Sequence, residues 1–78
     1  MYRIGFALCA NATAYLEGIP DFDESDNLKS IALCDDSRCH MFESENEALD
    51  IARKLGYIFT GNPIFVDEQT EWKRIVTY

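Results

Sequence analysis

Tyr2, Ile4, Phe6 and Leu8 alternate with Arg3, Gly5, Ala7 and Cys9, a period of two that predicts an opening strand with one bulky and one small face. The next stretch, NATAYLEGIP, fits a short helix from Asn11 or Thr13 to Glu17, closed by Gly18 with Pro20 beyond it. A second strand or an irregular loop fits it nearly as well. DFDESDN, residues 21–27, is polar and turn-rich and reads as a solvated loop. Leu28 to Cys34 and Cys39 to Glu43 have strand character on either side of DDSR, a connection of usual hairpin length. Pairing Cys34 with Cys39 sets Leu33 opposite His40 and Ile31 opposite Phe42, with all four on one face.

The strongest pattern follows. Ala48, Leu49, Ile51, Ala52 and Leu55 form an apolar stripe at helical spacing. Ser44 with Glu47 is a capping box, in which each side chain can satisfy a backbone N–H at the helix start. Asp50 and Lys54 make a favourable i, i+4 pair, and Glu45, Glu47, Arg53 and Lys54 complement the helix dipole. Gly56 supplies a left-handed closing residue, so the helix is expected over about 45–55. Beyond it, YIFT reads as extended, GNP as a turn, IFV as extended, DEQTE as a loop and WKRIVTY as a final strand.

These elements assemble into one α+β domain over 1–78: a small antiparallel sheet of four to five strands with the helix packed on one face. A helix at 11–17 makes the order βαββαβ, the split βαβ arrangement. That arrangement hosts many functions and identifies none of them.

Composition sharpens the reading. With 78 residues, 47% of them hydrophobic and 13% aromatic, the chain is globular and has room for one core. A domain near this size buries only about 60% of its unfolded surface, which leaves little for an elaborate catalytic pocket. The run from Ile4 to Ala10 is far short of the roughly 20 residues that cross a bilayer. Arg3, IGFALCA and ANA imitate the three regions of a secretory signal, but the apolar part is minimal and is read as the first strand. Three cysteines cannot all pair within one chain, which favours a reducing cytoplasm.

The net charge of −7 is unevenly spread. Glu17, Asp21, Asp23, Glu24, Asp26, Asp35, Asp36, Glu43, Glu45, Glu47 and Asp50 face only Lys29 and Arg38 within 17–50, giving −9. The rest sums to +2, from five bases against Asp67, Glu68 and Glu71. The acidic segment repels phosphate backbones and attracts basic proteins or cations.

CDDSRCH, residues 34–40, holds two cysteines and the single histidine. Cys9, Cys34, Cys39 and His40 have the composition of a Cys3His zinc set, yet lack the paired knuckle spacing of two to four residues. In a strand, residues 39 and 40 also point to opposite faces. A Cys34–Cys39 disulfide is geometrically possible across a hairpin. A cysteine nucleophile needs a histidine meeting it in space, and adjacency in sequence does not supply that. Read as a calcium loop, DFDESDN places Asp26 where glycine belongs and Ala32 where glutamate belongs. No glycine-rich phosphate loop exists, because Gly56, Gly61 and Asn62 belong to a helix end and a turn. Trp72, Lys73, Arg74 and Tyr78 mix aromatic and basic character, but read best as a sheet edge whose cations discourage aggregation.

Three function classes follow. The leading expectation is a small non-enzymatic protein-binding module, an inhibitor or regulator that docks on a basic, nucleic-acid-binding surface of a partner protein. Its contacts are Asp21, Asp23, Glu24, Asp26, Asp35 and Asp36. It needs no cofactor, no direct nucleic acid and no membrane. The second class is a zinc- or redox-responsive module using Cys34, Cys39 and His40. The third is an oligomeric subunit or ligand-binding domain with an apolar face around Phe59, Phe65 and Trp72.

Overall fold

The computed structural model describes residues 1–78. In chain order the elements are β1 (Tyr2–Cys9), β2 (Ala12–Leu16), β3 (Asp21–Phe22), β4 (Leu28–Ser30), β5 (Leu33–Cys34), α1 (Glu45–Ile58), β6 (Ile64–Glu68) and β7 (Lys73–Thr77). Five strands form one antiparallel sheet in the order β5-β2-β1-β6-β7, and β3 and β4 form a separate two-stranded sheet. The architecture is α+β, with no helix long and apolar enough to cross a membrane.

β1 lies at the centre, and its alternation has a direct consequence. Ile4 and Phe6 pair with Val66 and Ile64 on the face covered by α1, where Leu16 and Phe42 also lie buried. Ala48, Ile51, Ala52 and Leu55 of α1 complete this core. Each large side chain so buried contributes about 1.5–3 kcal/mol.

Residues 11–17 form a strand hairpin with β1, not a helix, so the split βαβ order is not the one adopted. In this register Leu16 is fully buried and Tyr15 lies on the opposite face, a division of sides that five strand residues achieve directly. The expected hairpin between 28–34 and 39–43 is also absent. β4 pairs with β3, β5 pairs with β2, and residue 42 bridges singly to Tyr2. The segment expected to be a plain loop at 21–27 is the tip of the β3–β4 hairpin and includes β3 itself.

α1 begins as expected, with the Glu47 N–H donating to Ser44 Oγ at 3.2 Å. Its end differs. The helix runs through Gly56 to Ile58, and the Phe59 N–H closes it on the Leu55 carbonyl at 2.8 Å. Gly56 is helical, and its missing side chain admits Tyr78: a Cβ there would stand 3.1 Å from the Tyr78 Cβ. The extra residues also leave the last turn without a basic side chain, so Arg53 and Lys54 sit further from the C-terminus than the sequence implied. β6 extends through Asp67 and Glu68, which the sequence had placed in a loop. β7 is the outer strand on its side, with Lys73 and Arg74 exposed, as the sequence suggested.

Candidate functional site

The acidic segment surrounds the β3–β4 hairpin, the turn after β5 and the start of α1. Asp21, Asp23, Glu24, Asp26, Asp35, Asp36, Glu43, Glu45 and Glu47 are all exposed, while Glu17 and Asp50 are half-buried. The six acids singled out as contacts are not equivalent.

Asp23 builds the hairpin tip. Its Oδ1 accepts the N–H groups of Ser25 and Asn27 at 2.8 and 2.9 Å, and Asn27 Nδ2 donates to its Oδ2 at 3.3 Å. The Asn27 N–H, against an opposing effect of burial and with help from the Ser25 N–H and the Asn27 side chain, holds the Asp23 carboxyl below the usual aspartate range. Asp35 does the same for its own turn. It accepts the Ser37 hydroxyl at 2.5 Å and the Ser37 N–H at 3.0 Å, and these bonds lower its pKa. The turn itself closes through the Arg38 N–H and the Asp35 carbonyl at 3.3 Å.

Asp26 occupies the left-handed region at φ 62 and receives Lys54 Nζ at 3.3 Å. That lysine also reaches Asp50 at 3.5 Å and lies 5.4 Å from the Phe22 ring centroid, so it anchors the hairpin to α1. Asp21 faces Lys29 at 4.0 Å, a separation that contributes little in water. Glu24 and Asp36 have exposed carboxylates with no side-chain hydrogen bond or ion pair. The turn after β5 is tied to β2 instead, through a two-oxygen contact from Arg38 Nη2 to Glu17 at 2.6 and 2.9 Å. No bond joins the hairpin acids to the Asp35–Asp36 turn.

The proposed zinc ligands do not gather. Cys9 sits opposite Ala12 at the β1–β2 turn, two strands away from Cys34. His40 stacks edge-on against Phe42 with centroids 4.5 Å apart, and no three His, Cys, Asp or Glu side chains converge. All three cysteines are free thiols. Cys34 Sγ donates to the Tyr15 carbonyl at 3.6 Å, and Cys39 Sγ to the Asp36 carbonyl at 3.4 Å.

Phe59, Phe65 and Trp72 do not form one face. Phe59 packs edge-on against Phe6 at 5.8 Å on the helix side. Phe65, 1% exposed, lies on the opposite face of the sheet.

That opposite face holds a group the sequence reading missed. Arg3 is 8% exposed and Asp67 2%, and Arg3 Nε and Nη2 both meet Asp67 Oδ2 at 3.2 Å. The Arg3 guanidinium lies between the Tyr15 and Trp72 rings, 4.3 and 4.0 Å from their centroids. Arg74 donates to Asp67 Oδ1 at 3.3 Å and lies 3.5 Å above the Phe65 ring. Phe65 in turn lies over Gly5, where any Cβ would overlap its ring. Long cationic and aromatic side chains thus roof the face that α1 leaves uncovered. The legible signal was charge inside two apolar strands, at positions sharing the face of Gly5.

The surface forms no enclosed pocket. Comparison with known protein families, with curated proteins and with solved structures finds no match to this chain.

Proposed function

We propose that this protein is a non-enzymatic binding module whose acidic half docks on a basic surface of a partner protein, acting as an inhibitor or regulator. The observation that carries the reading is the display of nine exposed carboxylates within 17–50 on two side-chain-organised turns and a helix start. Turns held by their own aspartates present neighbouring charge at small entropic cost. Fixed carboxylates steer a cationic partner and can stand where it expects phosphates, which makes the module a nucleic-acid mimic. The cysteine usage fits a cytoplasmic setting.

Within this reading the six acids divide their labour. Glu24 and Asp36 contact the partner directly, Asp23 and Asp35 shape the turns, and Asp21 and Asp26 contribute charge while engaging Lys29 and Lys54.

The test is a nuclease-treated pull-down from native lysate, eluted by a salt gradient and read by mass spectrometry, followed by titration of the purified partner. Support is a basic protein released at moderate salt whose affinity falls when Glu24→Gln and Asp36→Asn are combined. A partner held at high salt, or one indifferent to both substitutions, removes the reading.

A further inference from the structure

We propose that Cys34 and Cys39 form a reversible disulfide that clips the turn between β5 and the segment leading to α1. The pair flanks a turn closed by the Arg38 N–H and the Asp35 carbonyl. Such closure keeps the Asp35 and Arg38 Cα atoms within about 7 Å, and Cys34 and Cys39 each lie one residue, about 3.8 Å of chain, outside that pair. A disulfide needs a Cα separation of roughly 4.4–6.8 Å, so the bond would draw together two chain ends that no strand pairing holds opposite each other.

Both thiols are half-buried, and neither belongs to the main core. Each makes one weak bond to a main-chain carbonyl, which a disulfide forfeits at small cost. Burial, then the Glu17 carboxylate, then the Cys39 sulfur raise the Cys34 thiol above the ordinary cysteine value. Cys9 is excluded by topology. It sits opposite Ala12, three residues along β2 from Tyr15 and hence about 10 Å away along the strand, on the far side of β2 from β5.

The co-reactant is a small soluble disulfide of the glutathione type. The Cys39 thiolate attacks one of its sulfurs, forming a mixed disulfide and releasing one thiolate. The Cys34 thiolate then attacks Cys39 Sγ and expels the second. The two protons given up by the protein thiols pass to the two leaving thiolates, and two electrons move from the cysteine pair to the reagent. Cys34, the thiol with the raised pKa, serves as the resolving group.

The bond pins β5, a two-residue edge strand, to the chain at His40, whose N–H donates to the Leu16 carbonyl at 2.8 Å. Asp35 and Asp36 lie inside the closed loop, so the thiol state also sets how rigidly that acidic turn is held. The bond itself does not depend on the docking reading.

The experiment equilibrates the folded protein with mixtures of reduced and oxidised glutathione, quenches with acid, alkylates and digests with trypsin. Cleavage after Lys29, Arg38 and Arg53 puts the two cysteines on separate peptides, 30–38 and 39–53, which stay joined only through the proposed bond. The expected result is that linked pair, with Cys9 alkylated and the intact monomer lighter by two hydrogen atoms. Because coupling is reciprocal, the folded protein should oxidise more readily than urea-unfolded protein by at least about tenfold. Cys34→Ser should instead trap glutathione on Cys39. Glutathione adducts or intermolecular dimers without the linked peptides, or a folded pair no easier to oxidise than the unfolded one, would overturn the proposal.

Discussion

Arg3 and Asp67, 64 residues apart in sequence, stand directly opposite each other on β1 and β6 and are buried together on the face of the sheet that carries no helix. A desolvated guanidinium needs its carboxylate more than the fold needs the pair. Asp67→Asn is therefore expected to cost about 3–5 kcal/mol, whereas replacing both with apolar residues, Arg3→Met with Asp67→Leu, should cost less than the single change. Urea denaturation followed by fluorescence of Trp72, the only tryptophan, checks this directly. A double variant weaker than Asp67→Asn contradicts it.

Gly5 and Phe65 share the same face, and the ring occupies the space a side chain would need. Gly5→Ala should destabilise by roughly 1–3 kcal/mol, the usual range for overpacking. Adding Phe65→Leu to that variant should recover part of the loss, because the smaller side chain vacates the contact. Two denaturation midpoints that simply add would show that the ring and the glycine act separately.

Acid should loosen the two turns before it unfolds the core. Asp23 and Asp35 both have folded pKa values below the ordinary one, so the stability they lend is fully present above the unfolded carboxylate value of about 4. It is lost as pH falls through the lowered folded values. Amide NMR shifts of Ser25, Asn27 and Ser37 should titrate with midpoints below those of ordinary aspartates, while Ile4 and Val66 amides stay unchanged over the same range. Midpoints at the ordinary value would show that the carboxylates do not hold the turns.

Lys54 should control how firmly the hairpin rests on α1. Its two ion pairs are partly exposed, so Lys54→Met should alter global stability by no more than about 1 kcal/mol. Hydrogen exchange at the hairpin should rise severalfold all the same, with the Asp23 and Asp26 amides the best reporters. Unchanged exchange there would assign the anchoring to Phe22 and Leu28 alone.

If the acidic half is the docking surface, Asp23→Asn and Glu24→Gln should weaken partner binding in different ways. The first should lose affinity together with order at Ser25 and Asn27, the second with the loop intact. Far-ultraviolet circular dichroism from α1 should be the same for both, and equal affinities for wild type and Glu24→Gln would count against a direct contact.

Long periodic segments announced themselves in the sequence. β1 and the start of α1 were legible because seven or more positions repeat a period and Ser44 marks a boundary. β3 and β5 were not, since two residues contain no period at all. Gly56 misled because a glycine at a helix end satisfies a local rule, while the reason for it here is the approach of Tyr78 from 22 positions further on. Asp23 and Asp35 were read as charge because their neighbours' backbone N–H groups leave no trace in composition. The acidic surface was visible, but which acids stay free was decided by Lys29, Lys54, Ser37 and the turn backbone.

The β3–β4 hairpin closes its strand hydrogen bonds on itself and shares none with the larger sheet. A change of length at its tip therefore need not propagate into the register of β2, β1 and β6. The segment between Glu24 and Asn27 is a natural insertion point: a foreign peptide spliced there would be displayed on a short, charged stalk. The scaffold's own residues could then diversify in recognition without renegotiating how the rest of the chain folds.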